Sequence, residues 1–374
     1  MNDSPRIAIA AGGTAGHAIP ALAVGHELRE RGADVLFVGG DRAEAELVPA
    51  AGFDLVQLDL AGLDRRNPLR ALRAGLLALR GAVTARGVLR ERHVEAVLAG
   101  GGYVAGPVGL AAVSLGIPLV VSEADAHLGV ANRLLSRFAR RVCLAFPLAG
   151  RSGDRYLVTG RPIAPRREQL DRATARGFFG LPEDGLCLLA FGGSLGARTI
   201  NRATIEAFAT GVPEGLCVMH LTGRGEFTAA RKLLDGMPAL RDAAAHARYR
   251  LFAYTNEFDV ALAAADLSVC RSGGSVFELA ASGVPAILVP YPHATADHQT
   301  KNAQWYADGG AGILVPDGQL TGPRLRELVE QLIGDPGALA AHGAAARLLA
   351  RPDAARDIAD EVMSAARAGG GERA

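Results

Sequence analysis

Residues 186–197 read Leu-Cys-Leu-Leu-Ala-Phe-Gly-Gly-Ser-Leu-Gly-Ala, which is an apolar run, a glycine-rich turn and the start of a helical stretch. Residues 7–17, Ile-Ala-Ile-Ala-Ala-Gly-Gly-Thr-Ala-Gly-His, have the same order, with a hydroxyl residue after the glycine pair. Each segment opens a series of alternating apolar strands and amphipathic helices, which is typical of parallel sheets covered on both faces. The sequence therefore predicts an α/β protein with two Rossmann-like, doubly wound domains. In such sheets ligands bind outside the carboxyl ends of the strands, where both glycine turns lie.

The predicted domain boundary is the proline-punctuated linker Gly160-Arg-Pro-Ile-Ala-Pro165. We expect residues 1–162 to form the first domain and residues 163–350 the second, with a helix at about 351–368 packing back on the first. The first helix is predicted from Pro20 to Arg31. Further strands are predicted at Val35–Val38, Ala96–Ala99, Pro118–Val121, Cys217–Leu221, Leu267–Cys270 and Ala286–Val289.

Bulk composition narrows the class of protein. The chain has 374 residues, too many for one comfortable core, and its 49% hydrophobic and 21% charged content is ordinary for a soluble globular protein. A net charge of +1 gives no general attraction for nucleic acid, so no nucleic-acid partner is expected. Four scattered cysteines without a CxxC pair indicate buried thiols in a reducing compartment. A cytoplasmic location is expected, because the sequence has no signal peptide and no apolar segment of roughly 20 residues.

The stretch from Cys270 to Asn302 is predicted to bind a nucleotide sugar. An apolar strand ends in the turn Ser272-Gly-Gly-Ser275, whose N–H groups and helix dipole suit a diphosphate. Glu278, one turn into the following helix, is placed to accept hydrogen bonds from both hydroxyls of a ribose. A sugar beyond the diphosphate fits the polar loop that contains Asp297, His298 and Gln299. The alternative is a tight turn without a ligand, because glycine turns precede helices in many α/β proteins.

Two more glycine-rich loops follow strand ends, at residues 12–17 and 100–107. The loop at 12–17 has neither the GxGxxG spacing of a dinucleotide site nor the Gly-Lys-Ser/Thr of a P-loop. Together with the loop at residues 192–197 they make three glycine-rich loops at strand ends. Three such loops favour more than one phosphate-bearing group in one cleft, although each loop alone is compatible with a simple turn.

Candidate general bases lie beside these loops. His17 begins a helix, and a neutral imidazole there suits removal of a proton from an attacking hydroxyl, although a helix cap or a phosphate contact also explains it. Glu123 and Asp125 are competing carboxylates just past the strand that ends at Val121. Because they lack a clear third ligand, no metal is expected.

The segment from Asp64 to His93 combines eight arginines and two acids with an apolar stripe. The stripe has the three- and four-residue spacing of a helix face and consists of Leu69, Leu72, Leu76, Leu79 and Val83. A basic amphipathic helix of this kind suits an anionic membrane surface. An ordinary helix with a solvated basic face is the open alternative.

Four stretches together resemble the MurG family of peptidoglycan N-acetylglucosaminyltransferases. They are Gly12–Ala23, Gly101–Pro107, Gly192–Arg198 and Arg271–Asn302, in the family's order and over nearly the whole chain. The resemblance implies a GT-B fold and an inverting, metal-independent reaction without a cofactor. GlcNAc would pass from UDP-GlcNAc to the muramoyl 4-hydroxyl of an undecaprenyl-diphosphate acceptor, which converts lipid I to lipid II. It also implies a peripheral position on the cytoplasmic face of the inner membrane, with Asp64–His93 as the membrane contact.

The residues and the resemblance together imply roles at individual positions. His17 is the first candidate for the catalytic base and Glu123 the second. The implied donor contacts are Thr14, Ala15, Gly16, Asp125, Ser194, Thr255, Gly274, Ser275, Glu278, Asp297, His298 and Gln299. The implied acceptor contacts are Gly13, Gly101, Gly102, Tyr103, Gly106 and Asn132.

The chain departs from the family pattern at three places. Asp125 stands where the family often has a sugar-contacting asparagine, the turn at Gly274–Phe277 is one residue short, and Gly160-Arg161-Pro stands at the usual Asn-Pro-Val junction. Two alternatives therefore stay open. One is another GT-B UDP-sugar enzyme, with a different acceptor or with UDP-GlcNAc 2-epimerase activity, and the other is a non-catalytic UDP-sugar-binding membrane adaptor.

Overall fold

The computed structural model describes residues 4–61, 68–164, 170–241 and 243–371, apart from the side chains of 68–71, 243–244 and 370–371. It divides into two compact units, one formed by Met1–Pro165 with Arg351–Ala374 and the other by Arg166–Ala350. Each unit is built on its own parallel sheet.

The sheet of the first unit has seven strands within the described ranges. They are β1 (Arg6–Ala10), β2 (Asp34–Gly39), β3 (Asp54–Gln57), β4 (Ala96–Ala99), β5 (Leu119–Glu123), β6 (Arg141–Leu144) and β7 (Tyr156–Val158). Their order is β3-β2-β1-β4-β5-β6-β7, and every neighbouring pair is parallel. The chain reverses its direction of progress across the sheet between β1 and β4. A crevice for a ligand is therefore expected where these two strands end.

The sheet of the second unit has six strands within the described ranges. They are β8 (Leu186–Phe191), β9 (Leu216–Leu221), β10 (Tyr249–Phe252), β11 (Leu267–Cys270), β12 (Ala286–Leu288) and β13 (Gly312–Leu314). Their order is β10-β9-β8-β11-β12-β13, again with parallel pairing throughout. The switch point here lies between β8 and β11.

Helices cover the sheets. Those of the first unit before the linker are α1 (Ala15–Glu30), α2 (Ala43–Ala50), α3 (Pro68–Glu91), α4 (Gly102–Ser114) and α5 (Val130–Leu135). The second unit contains α6 (Arg172–Phe178), α7 (Arg198–Ala207), α8 (Phe227–Asp235), α9 (Ala243–Arg248), α10 (Phe258–Ala264), α11 (Ser275–Ser282), α12 (His298–Asp308), α13 (Gly322–Ile333) and α14 (Pro336–Leu349). The last helix, α15 (Ala354–Gly371), belongs to the first unit.

Alternate residues of the central strands fill two apolar cores in the first unit. One core joins the side chains of β4 and β5 to Leu89 of α3 and Val108 of α4. The other joins Ile7 and Ile9 to Leu28 of α1 and Ile358 of α15. The C-terminal helix therefore completes the cover of the first sheet.

Four residues of the predicted stripe on α3 lie outside these cores. Helix α3 packs inward through Ala74, Ala85 and Leu89, which are all at least 96% buried. Larger apolar side chains, 56% to 73% exposed, lie elsewhere on the helix surface at Leu72, Leu76, Leu79 and Val83. The predictions at Asp64, Arg65 and Arg66 fall outside the described residues, and those at Leu69 and Arg70 concern side chains outside the described part of the chain.

The prediction of two doubly wound parallel-sheet domains is confirmed, with corrections at element ends. Helix α1 begins at Ala15 and not at Pro20, because the extended backbone of Thr14 caps it. Helix α4 begins at Gly102, so Tyr103 and Gly106 are helical and not part of a loop. Further corrections are that Glu123 is the last residue of β5, that the segment 293–302 is a 3-10 turn (Thr295–Asp297) followed by α12, and that α15 continues to Gly371.

Candidate functional site

His17 lies at the switch point of the first sheet, in the first turn of α1. Its Nδ1 is 3.2 Å from Oγ1 of Thr14, the residue that caps the helix. The imidazole packs against Gly101, where a Cβ atom would lie 2.8 Å from Cδ2 of His17. Glycine at 101 therefore leaves room for the ring, and its φ of 93° also favours glycine. The loops after β1 and β4 thus meet at His17.

Glu123 is a buried acid whose oxygens already accept three hydrogen bonds. Oε1 accepts from the N–H of Asp125 at 3.1 Å, and Oε2 accepts from the N–H of Gly129 at 2.9 Å and from Nδ2 of Asn132 at 3.0 Å. Burial raises the pKa of Glu123 to about 7, although the bonds from Gly129 and Asn132 act in the opposite direction. The carboxyl group therefore changes its charge near neutral pH.

Asn132 connects Glu123 to the imidazole region. Besides its bond to Glu123, its Nδ2 donates to the carbonyl of Ser122 at 3.0 Å and lies 3.5 Å from the Cβ position of Gly101. The side chain is 98% buried, and within the described residues its Oδ1 has no hydrogen-bond partner. A buried acceptor of this kind normally has a partner, so Oδ1 suits a hydroxyl or a water that enters the site.

Arg161 is a site residue that the sequence reasoning missed. The guanidinium is buried and donates from Nη2 to the carbonyl of Gly16 at 2.6 Å and from Nη1 to that of Ala124 at 2.9 Å. The Gly16 carbonyl is available because Pro20, four residues later, has no N–H to donate to it. Nη1 also lies 3.8 Å from Oδ1 of Asp125, which gives that unusual acid a cation beside it. The sequence signal is Pro20 four residues after Gly16, because it indicates that the Gly16 carbonyl needs a hydrogen-bond donor from outside the helix.

Gly13 and Tyr103 contact a second residue that was missed, Glu44. The carboxylate of Glu44 is fully buried and accepts from the N–H of Gly13 at 2.8 Å, the N–H of Gly40 at 3.0 Å and the hydroxyl of Tyr103 at 3.0 Å. The Gly13 N–H is therefore already occupied, and the acceptor contact predicted for Gly13 would need another group of this residue. The glycines around Glu44 are the sequence signal, because they leave space for it.

Three predicted contact residues of this unit, Ala15, Gly102 and Gly106, have places in the helices or close to the backbone. Ala15 is the first residue of α1. Gly102 passes so close to the carbonyl of Gly12 that a Cβ would lie 1.9 Å from its oxygen. Gly106 is inside α4, with its Cβ position 3.6 Å from the Cβ of Ala131 on α5.

In the second unit, the Ser194 loop leaves the end of β8 at the switch point. Gly193 and Gly196 both have a φ of 86°, a left-handed backbone that glycine adopts without strain. A Cβ on Gly196 would lie 2.2 Å from the carbonyl oxygen of Thr222, so the loop also packs against the end of β9. Ser194 itself is exposed at the tip.

The second glycine turn leaves β11, the neighbour of β8, and enters α11. Gly274 is the N-cap of α11, Ser275 is its first residue, and Glu278 lies in the first turn with a half-buried side chain. The N–H groups at a helix N-terminus and the positive end of the helix dipole favour an anion. Ser194, Gly274, Ser275 and Glu278 therefore lie on the two loops that flank one switch point.

Helix α12 is tied to this turn. Oγ of Ser272 donates to the carbonyl of Gln299 at 2.7 Å, and Nδ2 of Asn302 donates to the carbonyl of Ser272 at 3.0 Å. The side-chain Nε2 of Gln299 is 3.9 Å from the Cβ position of Gly273. The structure thus brings Gln299 to the turn formed by Ser272–Ser275.

The residues before α12 have an unusual backbone. Ala296 and Asp297 both have a φ of 52°, which is uncommon for residues other than glycine. Oδ1 of Asp297 accepts from Oγ1 of Thr300 at 2.6 Å, and Nδ1 of His298 lies 2.9 Å from the carbonyl of Thr295. Strain of this kind occurs at ligand-contacting segments, among others, and the sugar contacts of Asp297 and His298 stay a prediction.

Thr255 lies on the segment after β10, the strand at the edge of the second sheet. Its Oγ1 accepts from the N–H of Glu257 at 3.0 Å, which fixes the turn before α10. Beside it, Tyr254 is 42% exposed and has the guanidinium of Arg224 4.4 Å from its ring centroid. Arg224, which was not predicted, extends the flat surface of the Tyr254 ring.

Arg271 is a further residue that the sequence reasoning did not assign. Its Nη1 donates to the carbonyls of Val289 and Pro290 at 3.0 and 3.1 Å and lies 2.6 Å from Oδ1 of Asp317. The pair of Arg271 and Asp317 joins the ends of β11, β12 and β13. It therefore fixes the relative positions of the strand before the turn Ser272–Ser275 and the strand before the segment that leads to α12.

No group of three or more His, Cys, Asp or Glu side chains in the part of the chain that the structure describes has the arrangement of a metal site. No helix in the described ranges is long and apolar enough to span a membrane.

Comparison with known proteins matches both halves of the chain to one family. The model of the glycosyltransferase family 28 N-terminal domain matches residues 7–144, and that of the family 28 C-terminal domain matches residues 187–361. A protein of Ectopseudomonas mendocina (strain ymp) is 41% identical over 371 residues, covering 96% of this chain and 98% of its own. It is named UDP-N-acetylglucosamine--N-acetylmuramyl-(pentapeptide) pyrophosphoryl-undecaprenol N-acetylglucosamine transferase.

Solved structures agree with the fold. The crystal structure of Acinetobacter baumannii MurG superposes with a TM-score of 0.76 at 31% identity, covering 96% of this chain and 99% of that one. The predicted GT-B fold is thereby confirmed. A putative UDP-N-acetylglucosamine 2-epimerase from Listeria monocytogenes has a TM-score of 0.68 at 15% identity, covering 95% of this chain and 94% of that one. At that identity the likeness concerns the fold alone.

Proposed function

The chain belongs to glycosyltransferase family 28, and on this basis we propose that it transfers N-acetylglucosamine from UDP-GlcNAc to lipid I in peptidoglycan synthesis. The observation that carries the proposal is the 41% identity to a transferase of that name over 96% of this chain. Identity at this level extends over both units, and therefore over the donor side and the acceptor side together.

The donor binds in the second unit. The diphosphate of UDP lies over the N-terminus of α11 and the Ser194 loop, where helix N–H groups and the dipole favour its charge. Glu278 accepts from the ribose hydroxyls, and the uracil lies near Tyr254 and Thr255. Gln299, held against the turn Ser272–Ser275 by Ser272, contacts the sugar.

The acceptor is activated in the first unit. The muramoyl 4-hydroxyl attacks C1 of GlcNAc, the bond from C1 to the UDP oxygen breaks with inversion, and the hydroxyl proton passes to the base. His17 is the better candidate, since Thr14 orients its imidazole and both carboxylate oxygens of Glu123 already accept hydrogen bonds. Helix dipoles and N–H groups stabilise the departing UDP, so the reaction is expected to proceed in the presence of a chelator.

We also propose that α3 binds the cytoplasmic face of the inner membrane. Its exposed stripe contains Leu72, Leu76, Leu79 and Val83, and exposed arginines at 73, 80 and 90 lie on the same helix. Apolar side chains that enter the interface beside arginines that meet anionic headgroups give two additive contributions to membrane affinity. An ordinary helix of a doubly wound domain would bury its large apolar side chains instead.

The test of activity is incubation of the purified protein with labelled UDP-GlcNAc, a lipid I analogue and EDTA. We expect labelled lipid II analogue. His17→Ala should lower kcat with little change in the KM for UDP-GlcNAc, whereas Glu278→Ala should raise that KM. Conversion of UDP-GlcNAc to its 2-epimer without any lipid product would instead favour the epimerase alternative, and binding of UDP-GlcNAc without turnover would favour the adaptor.

The test of membrane binding is co-sedimentation with vesicles. Wild type should bind vesicles that contain anionic lipid more strongly than zwitterionic ones, and Leu76→Glu/Leu79→Glu should lose most of that binding. Leu348→Glu is the matched control, since Leu348 is 85% exposed on α14 of the other unit. Equal binding by the double variant and wild type would contradict the role of α3.

A further inference from the structure

The carboxylate of Glu44 links three neighbouring strand ends of the first sheet. Glu44 lies in the first turn of α2, which follows β2, and it accepts the N–H of Gly40 from the same connection. Its other oxygen accepts the N–H of Gly13 from the loop after β1, 31 residues away in sequence. The hydroxyl of Tyr103, at the start of α4 after β4, donates to Oε1 of Glu44, the same oxygen that accepts from Gly40. Because β2, β1 and β4 are adjacent, one side chain holds together the loops on both sides of the switch point.

The space around Glu44 is shaped for a carboxylate. A Cβ on Gly12 would lie 2.4 Å from its Oε1, and one on Gly39 would lie 2.9 Å from its Cγ. Neither glycine has a positive φ, so the need for glycine there comes from the space that Glu44 occupies. The first glycine of the loop is therefore explained by a buried neighbour and not by a ligand.

The charge of Glu44 is compatible with its burial. Burial alone would raise the pKa, but the N–H groups of Gly13 and Gly40, the residue's own amide and the Tyr103 hydroxyl outweigh it, so the pKa is lowered. Tyr103 remains a donor, since burial and the neighbouring Glu44 charge raise its pKa to about 12. The acid is ionised at neutral pH and acts as an acceptor for all its partners.

We propose that Glu44 is a positioning residue for the acceptor side of the transfer reaction. It contacts no substrate. By binding the N–H of Gly13 it fixes the loop conformation in which Thr14 orients the imidazole of His17. The effect on catalysis rests on the transfer activity proposed above, whereas the effect on the loop does not.

The variant Glu44→Gln separates the contacts. The amide oxygen of glutamine can replace Oε1, which has two donors, the Gly40 N–H and the Tyr103 hydroxyl. The NH2 group then faces the N–H of Gly13, donor against donor, so the bond to Gly13 is lost while that to Gly40 remains. Glu46→Gln, an exposed position on the same helix, is the matched control.

Amide exchange and kinetics test the proposal together. By NMR on 15N-glycine-labelled full-length protein, exchange at Gly13 should accelerate roughly 10- to 100-fold in Glu44→Gln, the range for loss of one bond to a charged group. Gly40 should be unchanged in that variant, and both amides should be unchanged in Glu46→Gln. The kcat/KM for the lipid I analogue should fall by a similar factor, while the KM for UDP-GlcNAc and the affinity for UDP stay as in wild type.

Several results would overturn the proposal. Unchanged exchange at Gly13 in a folded Glu44→Gln variant would do so, and so would full acceptor turnover despite faster exchange. A loss of UDP affinity equal to the loss of turnover would indicate a merely structural effect and would also overturn it. If Glu44→Gln does not fold, Gly12→Ala displaces the same carboxylate, because the added Cβ would lie 2.4 Å from its Oε1. This variant should also lose kcat/KM for the lipid I analogue while it keeps its affinity for UDP. A wild-type protein without transferase activity would refute the proposed function, while the exchange data would still decide the role of Glu44 in the loop.

Discussion

Raising the pH from 5 to 8 should destabilise the first unit, because Glu123 then has to ionise in a buried position. Its pKa is about 7 in the folded chain, against 4.5 for an ordinary glutamate, and burial is the main cause. A group with a raised folded pKa contributes stability that is complete below the unfolded pKa and is lost as the pH rises through the folded one. A difference of about 2.5 pKa units corresponds to roughly 3 kcal/mol, of which about 2.5 kcal/mol falls between pH 5 and 8.

The chain offers a way to follow the units separately. Trp305 is the only tryptophan of the sequence, and it stacks on Phe277 at 5.2 Å within the second unit. Tryptophan fluorescence therefore reports unfolding of the second unit, whereas far-UV circular dichroism reports both. Urea unfolding of wild type and Glu123→Gln at pH 5 and pH 8 should show a stability difference between the two proteins that changes by about 2 to 3 kcal/mol with pH. The second unit's fluorescence transition should be the same in both proteins.

Two results would refute this reasoning. One is a difference between wild type and Glu123→Gln that stays constant from pH 5 to pH 8. The other is a titration of the Glu123 carboxyl carbon, followed by NMR, with a midpoint near the ordinary glutamate value. In either case the three hydrogen bonds to Glu123 would have to outweigh its burial.

Other predictions concern single contacts. Arg161→Met removes the donors to Gly16 and Ala124 and should destabilise the first unit by about 1 to 3 kcal/mol in urea unfolding, with the exposed Arg140→Met as a neutral control. Ala296→Gly should stabilise the second unit by about 0.5 to 1 kcal/mol, measured by the fluorescence transition, since glycine adopts a φ of 52° without strain; a decrease would contradict this. Arg271→Met leaves the Asp317 carboxylate without its cation and should cost the second unit about 3 kcal/mol by the same measurement, an effect that a further Asp317→Asn change should reduce.

The strands were predictable because both faces of a parallel sheet are buried. Such strands appear as continuous apolar runs, and Leu186–Phe191, Ala96–Ala99 and Leu267–Cys270 were located to the residue. Helix starts were harder. Pro20 is a residue type favoured at the first helical position, yet α1 begins five residues earlier because Thr14 already has the cap conformation.

The site was predictable where its signal is local. Glycine turns at strand ends marked the Ser194 loop, the turn before α11 and the surroundings of His17. Glu44 and Arg161 were missed because their partners are remote, at 31 residues for Gly13 and 145 residues for Gly16. Only indirect sequence signals pointed to them, namely the glycines that leave space around Glu44 and the proline four residues after Gly16.

The sequence by itself determined two parallel-sheet units and the strand ends that their glycine-rich loops follow, because burial periodicity and turn chemistry are local properties of the chain. Tertiary structure alone decided which groups remain available at those loops. The Gly13 N–H is occupied by Glu44, the pKa of Glu123 depends on burial by the surrounding residues, and Asp125 has a cation beside it. Tertiary structure also decided that Leu72, Leu76, Leu79 and Val83 of α3 are exposed, since a stripe with helical spacing is equally suited to a core and to a membrane surface until packing assigns its face.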